Sequence, residues 1–293
     1  MKKLIFFSAL LLAFTAWQSC DKVKFPKENG STGPTGPTGP VRKVLLEDYT
    51  GTSCGNCPPA GVVAGQLESQ YGSKLVAITI HAGFLAVPAN PPLDYDFRTA
   101  VGTDYHNTFG VFQYPTGMVN RIGYPSTSHL LPYTTWATNI ANIINTPPVA
   151  DIEITNAYNS GTRLLDVSLK SKFMSTLTGY YKLVVLLVED SVQKPQKDDN
   201  LPPTYIDNNY YHRHILRSSI NGNSTGWGDT LFTGTVNAGD SITKSYFSFP
   251  VPATYGNWNV IDNHCYVVAF IYDAETSSAT HYEVIQAEEK KIK

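Results

Sequence analysis

Residues 51–61 read GTSCGNCPPAG, with two cysteines three positions apart ahead of a double proline. What Cys54 and Cys57 do decides how the chain around them is read. Two intervening residues let a pair of thiols close into a small disulfide ring, and a helix N-terminus behind it favours thiolate over thiol. The prolines complicate this arrangement. Each disfavours the α conformation in the residue before it, so the sequence predicts a helix starting near Pro59, with Cys57 nearer its end than Cys54. Zinc is the first competing reading and falls short on ligands. A structural zinc site takes four, yet the sequence holds no second Cys-x-x-Cys, Cys265 is distant, and His81 and His106 are unpaired. A purely structural disulfide is the second competitor, and it stays open.

Working outward, the pattern is α/β. Residues 41–50 (VRKVLLEDYT) predict a buried strand, 60–71 carry Val63, Leu67 and Tyr71 at helical spacing, and 74–82 (KLVAITIHA) predict a second apolar strand. Strand, helix, strand over so short a stretch is a βαβ unit with a right-handed crossover. A helix follows over 97–109, then a strand and turn over 114–123 (YPTGMVNRIG). A closing helix over 130–145 carries Trp136, Ile140 and Ile143 on one face. After Pro147 and Pro148 the helical spacing stops. Alternating runs at 150–155, 164–173, 180–190, 212–219, 245–251 and 264–273, separated by Gly, Asn, Pro and Asp, predict an antiparallel, Ig-like sandwich. The last run, 281–293, reads as an edge strand whose charged tail discourages edge pairing. The expected organisation is a domain over 41–147 and an all-β domain over 148–293.

The start of the chain reads as an address. Lys2 and Lys3 precede an apolar stretch, Leu4 to Phe14, too short to span a bilayer comfortably, and TAWQSC ends in Cys20. A cysteine after such a stretch resembles a bacterial lipobox, with Trp17 where an aliphatic residue usually stands; ordinary secretion is the alternative. Residues 1–20 are therefore read as a lipoprotein signal peptide with Cys20 as the lipidation site. Residues 21–40, including GSTGPTGPTGP, are read as a semi-stiff tether with too few triplets for a collagen helix. Both readings place the mature protein outside the cytoplasm, where disulfides persist. With 293 residues, 16% charged and a net charge of -2, nothing suggests a nucleic-acid groove.

The order strand, Cys-x-x-Cys, helix, strand, helix, QYPTGMVNR over 41–145 resembles a thioredoxin-like domain. That resemblance implies a thioredoxin-like fold, a cis-proline at Pro115 that shapes the substrate site, Cys54 as attacking thiol and Cys57 as resolving thiol. It also implies that Asp48 is a buried acid helping to deprotonate the resolving thiol. Ser53 stands where that family commonly has an aromatic residue. Taken whole, the lipobox-like start, EDYTGTSCGNCPPA and YIDNNYYHRHILRSSING resemble a family of Bacteroidota outer-membrane proteins named for a twenty-eight-kilodalton member. That resemblance implies an outer-membrane location and a surface-antigen, adhesin or receptor role.

Two further features have two readings each, and a lone cysteine has one. KDDNLPPTYIDNNYYHRH gathers Asp198, Asp199, Asp207, Asn208 and Asn209 near His212 and His214, as a calcium or transition-metal loop would, but without the spacing of a known calcium loop; a polar recognition loop is expected. The aromatics Tyr205, Tyr210, Tyr211, Trp227, Tyr246, Phe247 and Trp258 are a carbohydrate- or peptide-binding platform or core filling, and core is expected. Cys265 is expected to be a buried, inert thiol. The sequence thus points to thiol–disulfide exchange with envelope partners, without a cofactor. The competing function is a non-catalytic adhesin or receptor that binds surface ligands and keeps Cys54–Cys57 as a staple. In both, the only membrane contact expected is through the N-terminal lipid.

Overall fold

The computed structural model describes residues 39–222, 226–256 and 258–293. Cys20, the signal peptide and nearly all of the tether lie outside them. Strand β1 (Val44–Thr50) is buried along its whole length because both its faces are covered. Leu45 and Tyr49 enter one apolar cluster, Val44 and Leu46 another. This is why its sequence is a run and not an alternation. Helix α1 (Pro58–Tyr71) leads to β2 (Leu75–His81), which pairs parallel with β1 from Val44 opposite Leu75 to Thr50 opposite His81. Helix α2 (Ala100–Thr108) is capped by the Thr99 hydroxyl, which accepts from the Gly102 amide at 2.9 Å. Strand β3 (Thr116–Val119) adds antiparallel to β1, and α3 (Trp136–Ile143) packs Trp136 and Ile140 against Val44 and Leu46.

One helix boundary differs from expectation. Helix α1 begins at Pro58, with Cys57 as its N-cap in αR geometry at φ -80°, ψ -31°. Two prolines are tolerated there because the first helical positions need no N–H donor. The turn is closed by the Cys57 amide donating to the Cys54 carbonyl at 3.2 Å, and this outweighs the pre-proline preference.

Beyond Pro148 come β4 (Ala150–Asn159), β5 (Leu164–Phe173) and the long β6 (Leu177–Glu189). Four two-residue strands follow: β7 (Val192–Gln193), β8 (Gln196–Lys197), β9 (Ile206–Asp207) and β10 (Tyr211–His212). Then come β11 (Ile215–Ser219), β12 (Asp229–Val236), β13 (Ser241–Pro250), the short pair β14 (Thr254–Tyr255) and β15 (Trp258–Asn259), β16 (Cys265–Asp273) and β17 (Val284–Lys291). Strand β12 was not among the expected runs. It pairs with the first half of β6, while β11 pairs with the second half.

The change at Pro147–Pro148 does not divide the sheet. Among the described residues, strands run in the order β17-β16-β6-β11-β2-β1-β3, with β12 also on β6, as one mixed sheet of eight. Strand β11 joins β2 at Ile215 opposite Thr79, where the Thr79 amide donates to the His214 carbonyl at 2.8 Å. Residues 39–293 accordingly form one compact unit. The two lengths of chain, 41–147 and 148–293, share a core: Leu45, Ile78, Tyr105 and Phe109 pack with Val184, Leu186, Val268 and Phe270.

On the opposite face the cover changes along the sheet. Helices α1 and α3 cover the β1 and β2 end. The three-stranded sheet β13-β5-β4 covers the β6 and β16 end through Ile152, Leu169, Leu183, Val185 and Val267. Strand β6 is the hinge of both layers. Leu183, Val185 and Leu187 face one way, Val184, Leu186 and Val188 the other, all fully buried. Each such side chain contributes about 1.5–3 kcal/mol relative to exposure. Strand β17 ends the sheet, with the charged residues Glu288 to Lys291 along it.

Candidate functional site

The loop from β1 to α1 carries a formed disulfide between Cys54 and Cys57, with Cα atoms 5.4 Å apart. Its turns are set by the backbone: Cys54 N donates to Gly51 O at 3.0 Å, and Ala60 N to Cys57 O at 3.0 Å. Bonded sulfurs do not ligate a metal, and no cluster of three His, Cys, Asp or Glu suited to one occurs among the described residues. Cys54 is only 2% exposed and Cys57 4%.

Gly51 fixes the loop against its neighbour. A Cβ there would lie 2.3 Å from the Leu85 carbonyl group, and Ser53 N donates to Leu85 O at 3.0 Å. Gly51→Ala is expected to cost about 1–3 kcal/mol through overpacking against backbone; a urea midpoint for the oxidised protein checks it. The 3-10 turn at Leu85 carries Phe84, 70% exposed, whose ring meets Tyr114 edge-on at 5.8 Å. Tyr114 hydrogen-bonds His106, and its peptide bond to Pro115 is cis. Phe112 and Val87 are exposed in the same two loops. An open apolar surface therefore lies beside a disulfide that is itself covered.

Asp48 sits on β1 opposite Thr79 and Gly117, on the face that α1 covers. It is buried, and its Oδ1 has no hydrogen-bond partner among the described residues. Burial pushes its pKa up to about 7. More buried polar atoms without partners cluster in this part of the fold: Thr52 Oγ1, Ser53 Oγ, both His81 ring nitrogens and His212 Nε2. His81 and His212 lie 5.3 Å apart, ring to ring, each 4.7 Å from Phe97. Burial holds both imidazoles neutral, driving His212 down to about 3 and His81 well below its ordinary value.

The cysteine loop is held by a segment from far along the chain. Strands β7 and β10 pair, β8 and β9 pair, and together they make a ribbon from Val192 to His212. Gln196, 2% exposed, places its amide nitrogen 3.0 Å from Cys54 O and 3.1 Å from Gly51 O. Lys197 N donates to Thr52 O at 2.9 Å and Asp199 N to Gly55 O at 3.0 Å. The Asp199 carboxylate occupies the space that a Cβ on Gly55 would need, and the Tyr210 hydroxyl does the same at Gly61. This is the polar segment in which the sequence suggested a recognition loop. Its partner is the cysteine loop of the same chain.

The remaining candidates fall elsewhere. Cys265 is fully buried, and burial pushes its thiol up to about 12, which makes it inert as expected. Trp227 packs in the core with Tyr105 and Phe109, while Tyr205, Tyr211, Phe247 and Trp258 are exposed and scattered. His214 parts from His212 and binds Glu68 of α1 at 3.0 Å. Gln196 is the residue that sequence reasoning missed, and a lone amide in a polar run carries no signal for such a role.

A family model described as outer membrane protein Omp28 matches residues 102–293. The match includes Pro115 and the whole ribbon, and it begins after Asp48, Cys54 and Cys57. A search of curated proteins finds no match. Among solved structures, HBP35 of Porphyromonas gingivalis is similar in fold, with TM-score 0.61 and 16% identity over 87% of this chain and 76% of that one. A domain of the outer membrane lipoprotein Omp28 from Porphyromonas gingivalis aligns with TM-score 0.31 and 20% identity over 50% of this chain and 90% of that one.

Proposed function

The chain belongs to the Omp28 outer-membrane protein family, and on that premise we propose that it is a thiol–disulfide exchange module working on envelope partners at the outer membrane. In this reading β1, α1, β2 and β3 make a thioredoxin-like core, an Ig-like layer of β4, β5 and β13 supports it, and Cys20 holds the mature chain to the membrane by its lipid. The observation that carries the reading is Asp48. Its buried carboxyl has a bare oxygen and a pKa raised to about 7, which costs stability and suits the proton acceptor that the thioredoxin-like resemblance assigns to the resolving thiol.

The chemistry runs in two displacements. In the reduced protein the Cys54 thiolate attacks one sulfur of a partner disulfide; a mixed disulfide forms and the partner's other sulfur leaves as thiolate. Cys57, losing its proton to Asp48, then attacks Cys54, releasing the second partner thiolate and restoring the Cys54–Cys57 bond. In this reading Pro115 and the apolar residues Phe84, Phe112 and Tyr114 are the surface that receives the partner.

A second reading is favoured by one observation, the burial of both sulfurs: a non-catalytic adhesin or receptor with the disulfide as a local staple. Cys57→Ser separates the two. Purified from cells, that variant is expected to carry envelope proteins as mixed disulfides on Cys54, released by reductant and absent from Cys54→Ser/Cys57→Ser. An empty Cys54 together with an unusually low reduction potential for the wild-type pair overturns exchange in favour of the staple.

A further inference from the structure

We propose that the ribbon from Val192 to His212 is a hinged cover over the Cys54–Cys57 disulfide, latched by Gln196, and that a thiol reaches Cys54 only when the ribbon lifts. Its biological meaning, control over when the pair meets a partner, rests on the exchange reading above. The physical claim does not.

The contacts divide into a latch and a hinge. The latch consists of the Gln196 amide on Gly51 O and Cys54 O, with the flanking amides of Lys197 and Asp199 on Thr52 O and Gly55 O. All four acceptors belong to the cysteine loop, and all the donors lie within four residues of one another. Little apolar burial backs them, because the tip of the ribbon, Asn200 to Tyr205, is exposed. Segments held by a few polar contacts and little apolar area open locally at low free-energy cost.

The hinge is different in kind. His212 packs on His81, Phe97 and Tyr210, and hydrogen-bonds the backbone of Lys194 and Pro195. Beyond it the chain enters the central sheet through Ile215, which is fully buried. The root of the ribbon is thus anchored in the core while its outer half rests on hydrogen bonds to one loop.

Close approach is specified from both sides. Gly55 and Gly61 are the positions where a side chain would collide with Asp199 and Tyr210. Neither glycine has a positive φ, so backbone conformation does not require them there. The clearance does.

The experiment uses the full oxidised protein and dithiothreitol. In the reaction a reagent thiolate bonds to Cys54, the Cys54–Cys57 bond breaks with its electron pair on Cys57, and the reagent's second thiol displaces Cys54. The products are two protein thiols and the cyclic disulfide of the reagent. Gln196→Ala is expected to be reduced about tenfold faster than wild type, the effect of losing a latch contact on a local opening. Its thermal midpoint should fall by only about 3–5 °C, the share of the same lost contact in global unfolding. Equal rates would overturn the cover.

Hydrogen exchange on the wild type gives an independent reading should that variant fold poorly. The amides of Lys197 and Asp199 should exchange far faster than those of β6, and wild-type reduction should depend only weakly on urea. Amides as protected as β6, or reduction that follows global unfolding, would also overturn it. Because the probe is a small dithiol, these results are independent of whether Cys57→Ser captures envelope proteins. Failure there sinks exchange and leaves the cover standing.

Discussion

Asp48→Asn is expected to make the protein more stable above neutral pH and about a hundredfold slower in disulfide exchange. The stability gain follows from the direction of the pKa shift. Burial raises the folded pKa to about 7 from the ordinary 3.8, so between these values the folded carboxyl holds a proton that the unfolded one has lost. The favourable contribution is therefore complete below about pH 3.8 and is lost as pH rises through about 7. Asparagine has no charge to bury and escapes that loss. The difference between variant and wild type should be small near pH 4 and grow to about 2–4 kcal/mol by pH 8, read from urea midpoints at the two pH values. A difference that does not change with pH would mean that Asp48 titrates normally. The rate is a separate readout. If Asp48 accepts the Cys57 proton, Asn removes the acceptor, and the mixed disulfide should accumulate. Greater stability without loss of rate would mean that Asp48 takes no part in proton transfer and would weaken exchange in favour of the staple.

How much of this was legible in the sequence depends on the range of the interaction. Strands β1 and β2 and helix α1 are local, and their apolar runs and spacing show in KLVAITIHA and in Val63, Leu67 and Tyr71. Strands β5, β6 and β16 were legible for the same reason. Strand β12 was not, because threonine and glycine make up half of DTLFTGTV and it buries Leu231, Phe232 and Val236 only. The joining of β11 to β2 was illegible too. It depends on one register position, Ile215 opposite Thr79, between residues far apart in the chain. A composition change at Pro147–Pro148 looks like a domain boundary from outside, but it marks where the cover on one face of the sheet changes from helices to strands.

The site divides the same way. Cys54 and Cys57 announce themselves by spacing, and Asp48 and Pro115 were placed through resemblance to a family, since neither burial nor a cis bond is written in neighbouring residues. Gln196 was invisible because its meaning comes from two carbonyls more than a hundred residues away. Arg121 was invisible for the opposite reason. Read in GMVNRIG it is a turn residue, and arginine is among the residues least often fully buried.

Arg121→Met is expected to cost about 3–5 kcal/mol, while Glu47→Leu/Arg121→Met recovers most of that loss. Both partners of this ion pair are fully buried, joined at 2.8 Å and 2.7 Å by two parallel hydrogen bonds. Although burial opposes its charge, the Glu47 carboxylate holds the Arg121 pKa above its ordinary value. The guanidinium lies over Tyr105, Phe109 and Phe270 at 4.7–4.8 Å, so removing it leaves a carboxylate alone among aromatic rings. Replacing both partners leaves no charge behind, which is why the double variant should do better than the single. Arg121 already has a positive φ of 57°, a strain that methionine inherits without change. A single variant costing under about 1 kcal/mol would mean that water reaches the pair. The form of the unfolding curve carries further information. Tyr105 and Phe109 come from the first half of the chain, Phe270 and Tyr272 from the second, and Asn120 beside Arg121 bonds both Leu45 and Val284. Damage at Arg121 should therefore lower one cooperative transition for the whole of residues 39–293. Two separated transitions would mean that the first half folds without the sheet it shares.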